Sequence, residues 1–163
     1  MIQMPADSRK IYATQRFRIL KIASVPARYA YDWLTDYRTD DGKFSKSRSR
    51  HRVIRVGKDR VIRIRTPDPK SGLHAVAVDV VRLSPPNRWH LDQVDEGDLE
   101  TVDYRVSSLG PHRSRVVVDI VERWMISNHP DLAEVRQRAD AVWSRLVAAL
   151  ELDYRNGIPA KRR

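Results

Sequence analysis

Hydrophobic and polar positions along this chain follow two periods, and the order in which they change predicts the architecture. Arg16 to Ala23 reads as a strand. Ala27, Ala30, Tyr31 and Leu34 then recur at helical spacing within a segment from Ser24 to Asp36. Ser24 suits the N-cap of that helix and Pro26 suits its first turn, where a missing N–H costs little. Tyr37 to Gly42, with two aspartates and a glycine, reads as a turn or short helical loop. From Arg48 the period changes to two. Strands are expected at Arg52–Val56, Arg60–Thr66, Leu73–Leu83, Arg88–Val94, Leu99–Ser108 and Arg113–Met125. The turns between them are marked by Gly57-Lys58-Asp59, Pro67 to Gly72, Pro85-Pro86-Asn87, Asp95 to Asp98 and Gly110-Pro111. Connections this short make the strands antiparallel neighbours in a meander. The last element, from Pro130 to Asn156, is a long amphipathic helix with Leu132, Val135, Ala139, Val142, Leu146, Leu150 and Tyr154 on one stripe. Asn128 or His129 is its expected cap, with Pro130 and Asp131 in its first turn and Gly157 just past its end. One long helix has only one sheet to pack against, so this α+β chain is expected to curve its sheet around the helix and leave a cavity between them.

Composition narrows the function classes. The length of 163 residues fits one domain, read as residues 16–157, with an N-terminal extension over 1–15 and a basic tail over 158–163. No apolar run is long enough to span a membrane and Met1 to Gln15 has no apolar signal core, so a cytoplasmic protein is expected. The absence of cysteine excludes disulfides, thiolate metal sites and thiol nucleophiles. A formal charge of +10 favours an anionic partner such as nucleic acid or anionic lipid, although most of the arginines are interleaved with acids as on an ordinary solvated surface. The clearest local anomaly is the acid-free stretch from Lys43 to Arg52, inside the basic segment 43–55. There Lys46, Arg48, Arg50 and Arg52 are candidate phosphate contacts. The alternative is a charged loop and edge strand that block unwanted pairing.

Several segments resemble one family. Pro26-Ala27, Ala30-Tyr31, Leu34 and Asp36 resemble the opening of START-related (SRPBCC) proteins, and Leu83-Ser84-Pro85-Pro86-Asn87-Arg88-Trp89 resembles the proline-containing turn between their middle strands. The closing helix matches in length and place. The resemblance covers about Arg16 to Asn156 and implies a helix-grip fold: a curved antiparallel sheet of about seven strands wrapped around a long C-terminal helix, with one or two short helices after the first strand. It also implies a hydrophobic small molecule held between sheet and helix. The superfamily includes lipid-transfer domains and polyketide cyclase/dehydrase enzymes.

Alternation along the strands sorts the two sheet faces. The inner face is expected to carry Ile62, Ile64, Val76, Val78, Val80, Trp89, Leu91, Val102, Tyr104, Val106, Val118, Ile120 and Trp124. The outer face is expected to carry a ladder of Arg63, Arg65, Asp79, Asp92, Asp103, Arg105, Asp119 and Arg123. Asp79, Asp103 and Asp119 would otherwise form a carboxylate cluster for acid/base or metal chemistry, but they share parity with the arginines. Ligand contacts are therefore expected from Val78, Trp89, Leu91, Tyr104, Val118, Trp124 and Trp143. His74, Gln93, Glu100 and Glu122 share the inner parity as polar residues, and either Tyr104 or His74 is the proton donor if the chain is an enzyme. No glycine-rich phosphate loop, nucleophile elbow or paired-histidine spacing occurs, so no metal, cofactor or catalytic residue is assigned. Binding without intrinsic chemistry is the expectation that follows, with a cyclase/dehydratase and an anionic-surface binder as alternatives.

Overall fold

The computed structural model describes residues 12–38, 50–67, 76–95, 98–125 and 131–161. Its elements run β1 (Tyr12–Ala23), α1 (Ala27–Leu34), β2 (Arg50–Val56), β3 (Arg60–Thr66), β4 (Ala77–Ser84), β5 (Arg88–Val94), β6 (Leu99–Gly110), β7 (Arg113–Met125) and α2 (Leu132–Arg155). The strands form one seven-stranded antiparallel sheet in the order β1-β7-β6-β5-β4-β3-β2. Strands β2 to β7 are a meander, as short connections require. β1 docks on β7, so the chain passes from one edge of the sheet to the other between β1 and β2, and directly after α1 Asp36 already meets Arg55 of β2. The sheet curves around α2, which packs against β1, while α1 packs against β6, β7 and the end of α2.

Local chemistry explains the element ends, in two cases differently from the sequence expectation. Asp131, not Asn128 or His129, is the N-cap of α2 and accepts the Ala133 N–H at 2.8 Å. Residues 126–130 lie outside the described set. Ser24 does not cap α1. Pro26 holds the cap position without a side-chain bond, and the Ser24 N–H donates to Glu151 of α2 at 2.6 Å. Gly57 in the β2–β3 turn and Gly157 beyond α2 both have positive φ, 68° and 66°, which side-chain-bearing residues rarely adopt. β1 begins at Tyr12, earlier than Arg16, because Tyr12 to Gln15 pair with Glu122 to Met125.

The core is a set of transverse rows across the concave face. One runs Val61, Val81, Leu91, Val102, Ile120 and Phe17, strand to facing strand, and all but Phe17 are buried. Each fully buried Val or Leu contributes about 1.5–3 kcal/mol. Ala30, Tyr31 and Trp33 of α1, with Trp143, Val147 and Leu150 of α2, close over it. Leu150 of the expected stripe is fully buried, and the other two buried positions of α2, Trp143 and Val147, lie beside that stripe. Leu132 is 48% exposed, and Val135, Ala139, Val142, Leu146 and Tyr154 are half-buried.

The face assignment holds for β5 to β7 and is reversed for β3 and β4. Val61, Arg63 and Arg65 pair with Val81, Asp79 and Ala77 on the concave side, while Ile62, Ile64, Val78 and Val80 point to the convex side. Val76 is also exposed, at 48%. The expected outer ladder is therefore real only in part. Arg18–Asp119, Arg82–Asp92 and His90 with Asp92 and Asp103 lie on the convex face, but Arg63, Arg65 and Asp79 are inside. Both faces of β4 carry small and branched apolar residues, so alternation alone does not separate them. A slip of one residue inverts every side chain.

Candidate functional site

A cavity of about 210 Å3 lies between the concave face and α2. One wall is aromatic and apolar. Trp89 and Leu91 of β5 and Tyr104 of β6 form it from the sheet, and Val142, Trp143 and Leu146 form it from α2. Trp33 and Leu34 of α1 close one side. The Trp89 and Tyr104 rings are stacked at 4.6 Å with an interplanar angle of 5°, and Trp143 lies tilted against Tyr104 at 5.8 Å. Tyr31 meets Trp89 edge-on at 5.8 Å. Stacking of this kind fixes the rings beyond what area burial alone would do. They narrow the cavity without filling it.

The opposite wall is basic. His51 of β2, Arg63 and Arg65 of β3, and Asp36, Tyr37 and Arg38 after α1 complete the lining. Asp79 lies behind the arginines, fully buried. Its Oδ2 accepts Arg63 Nε at 2.6 Å and its Oδ1 accepts Arg65 Nη2 at 3.1 Å. Asp36 is bound by Arg38 at 2.8 Å and by Arg55 at 3.3 Å. Arg63 also lies over the Tyr37 ring, 5.2 Å from its centroid. The strand geometry brings this about: β2 and β3 form the far end of the meander, and α1 leads the chain to the same end.

The electrostatics follow from burial and these neighbours. Burial first, then the positive charges of Arg63 and Arg65, push His51 down to about 4, so it is neutral at pH 7. Burial opposes the charge on Arg63, but Asp79 more than offsets it and raises the guanidinium pKa. Tyr104 is driven well above its ordinary value by burial, so its hydroxyl stays protonated. Next to the cavity runs a polar row across the concave face: Arg63, Asp79, Gln93, Glu100, Glu122 and Gln15, each facing the next on the neighbouring strand. Gln15 Nε2 donates to Glu122 Oε2 at 2.7 Å. Burial, then the neighbouring Glu122, raise Glu100 to about 8, and its retained proton hydrogen-bonds Glu122.

Of the residues expected to meet a ligand, Trp89, Leu91, Tyr104 and Trp143 line the cavity. Val118 is fully buried in the core, and Trp124 is buried near the end of β7, outside the lining. Val78 is on the convex face, for the register reason given above. Sequence reasoning missed Trp33, Leu34, Arg63, Arg65 and Asp79. A signal for the last three was present. Asp79 interrupts the apolar run from Ala77 to Val81, two residues from each of those buried side chains, and the paired strand carries two arginines. Arg50 and Arg52 are exposed on β2, with Arg52 beside Ile64 on the convex face; Lys46, Arg48 and His74 lie outside the described residues. Among the described residues no helix is long and apolar enough to cross a membrane.

No protein-family model matches the chain, and no curated protein matches it in sequence. Solved structures do match. The ZhuI aromatase/cyclase from Streptomyces sp. R1128 superposes with a TM-score of 0.71 at 11% identity, covering 87% of this chain and 96% of that one. A START superfamily protein from Mycobacterium smegmatis gives 0.60 at 13% identity, covering 83% and 94%. Ara h 8.0201 gives 0.65 at 9% identity, covering 85% and 98%. Identities this low speak for the fold alone. With its seven-stranded sheet gripping α2, the chain has the helix-grip fold seen in these structures.

Proposed function

We propose that the protein binds a hydrophobic or amphipathic small molecule in the cavity between the sheet and α2, without chemistry of its own. The observation that carries this reading is the cavity itself, walled by Trp89, Tyr104 and Trp143 and kept open beside their stacked rings. Apolar walls with a few placed polar groups are the usual form of such a site. A cavity of about 150 Å3 already accepts benzene, so the volume here suits a ligand of one or two rings.

Native mass spectrometry of the protein purified from its own host tests this directly. A stoichiometric apolar small molecule, released on denaturation and quenching tryptophan fluorescence on rebinding, is the expected result. Three of the four tryptophans line the cavity, so quenching reports occupancy. A clean apo mass, with no quenching by any aromatic probe, would sink the reading.

A second reading, a cyclase or dehydratase-type enzyme, draws on Tyr104. Its protonated hydroxyl on the cavity wall suits a proton donor. Turnover of a ring-forming substrate that Tyr104→Phe abolishes without loss of binding would favour it.

A further inference from the structure

The two walls of the cavity differ in a way that a purely apolar ligand leaves unexplained. Arg63 and Arg65 stand on β3, whereas Trp89 stands on β5, two strands away and, since Arg63 is in register with Asp79 and Gln93, four or more residues further along the sheet. Among the described residues four guanidiniums cluster at the basic end, those of Arg38, Arg55, Arg63 and Arg65, against the carboxylates of Asp36 and Asp79. Both carboxylates already hold arginines. The excess positive charge therefore belongs to the wall.

Arg65 shows where that excess is unmet. Its Nη2 is used by Asp79, but its Nε is buried and has no hydrogen-bond partner among the described residues. Arg65 nonetheless lines the cavity beside Arg63, so the guanidinium donors that Asp79 does not use can meet a ligand acceptor there. His51, which faces Arg65 across β2 and β3, is kept neutral first by burial and then by the positive charges of Arg63 and Arg65. Burial, then Glu122 on β7, raise the pKa of Glu100 on β6 against the lowering by Arg65, so Glu100 stays neutral and does not offset the arginines.

We propose that the ligand is an aromatic monoanion of one or two rings, its carboxylate or equivalent oxyanion received by Arg65 beside Arg63 and its ring system lying against Trp89, Tyr104 and Trp143. This inference rests on the cavity being a small-molecule site. A carboxylate can bond the guanidinium donors of Arg65 that face the cavity without displacing Asp79. A planar guanidinium suits this task better than an ammonium, since it offers a fork of donors to an oxyanion.

The test compares 2-naphthoate with the neutral 2-naphthalenemethanol by tryptophan quenching at pH 7.5, on the wild type and on Arg65→Gln. Wild type is expected to bind the acid at least about tenfold more tightly than the alcohol, a gap of about 1.4 kcal/mol. Arg65→Gln should shrink that gap to about twofold by weakening the acid more than the alcohol. Equal binding of acid and alcohol by the wild type, or an unchanged gap in the variant, would overturn the inference while leaving the cavity reading intact. Failure of both compounds to bind would overturn both. Should Arg65→Gln not fold, the His51 ring titration in the wild type decides by NMR. Naphthoate must raise the His51 pKa from about 4, and the alcohol must not.

Discussion

At the scale of single residues, the concave face is unusual for the ionisable groups it keeps in unequal states. Asp79 is fully buried with two arginines on it, His51 is neutral, and Glu100 is protonated. Glu100 has a consequence for stability. Its folded pKa, about 8, lies above the reference value of 4.5, so the native state keeps a proton that the unfolded chain has released. Stability is therefore lost as pH rises from about 4.5 through 8. His51 works the other way: its folded pKa is depressed, so stability is lost as pH falls from 6.5 towards 4. Between pH 6.5 and 8 His51 no longer adds to the slope. His90 on the convex face adds a loss in the same direction as Glu100: burial works against its charge, but hydrogen bonds to Asp103 and Asp92 raise its pKa. Urea midpoints measured across this window should show wild-type stability falling with pH, and Glu100→Gln should remove about one proton's worth of that slope, leaving the share of His90. An identical slope in the variant would show that Glu100 is ionised. None of these states could be read from the sequence. Gln93, Glu100 and Glu122 were on the right face by parity, but parity does not say which neighbours face them or how much water remains.

At the scale of elements, α2 shows how far periodicity reaches. Its length, its glycine stop and its role as the closing helix follow from apolar spacing and turn chemistry. The depth of burial at each position does not. The deepest contacts come from Trp143, Val147 and Leu150, whereas Leu132, five turns before Leu150 on the same side, stands in the exposed first turn. Polar anchors assist: Trp33 Nε1 donates to Asp153 at 2.9 Å, Tyr29 donates to the Ile158 carbonyl at 2.7 Å, and Lys21 of β1 pairs with Asp140 at 2.7 Å. Leu150→Ala is accordingly expected to cost about 2–5 kcal/mol. Leu132→Ala should change stability by less than about 0.5 kcal/mol. Equilibrium denaturation of the two variants distinguishes them, and equal costs would mean that the first turn of α2 is covered as Leu150 is.

At the scale of the whole molecule, the cavity exists because one long helix cannot fill the curve of a seven-stranded sheet. Leu146→Trp adds bulk from α2 directly into that space. It should abolish binding of an aromatic ligand in calorimetry and leave the circular dichroism unchanged, at a cost of about 1–3 kcal/mol from overpacking. Retained binding would place the ligand elsewhere. Element order, the antiparallel meander, the closing helix and the aromatic half of the cavity follow from the order of residues, because they depend on periods, turns and short connections that are local in the chain. Three features depend on the assembled sheet and helices instead: which face of β3 and β4 turns inward, which positions of α2 are buried, and the placement of Arg63, Arg65 and Asp79 inside. Those choices compare two nearly equal local patterns, and only the partners each side chain meets across the sheet, a carboxylate for two guanidiniums and a valine row for Val61 and Val81, separate them in free energy.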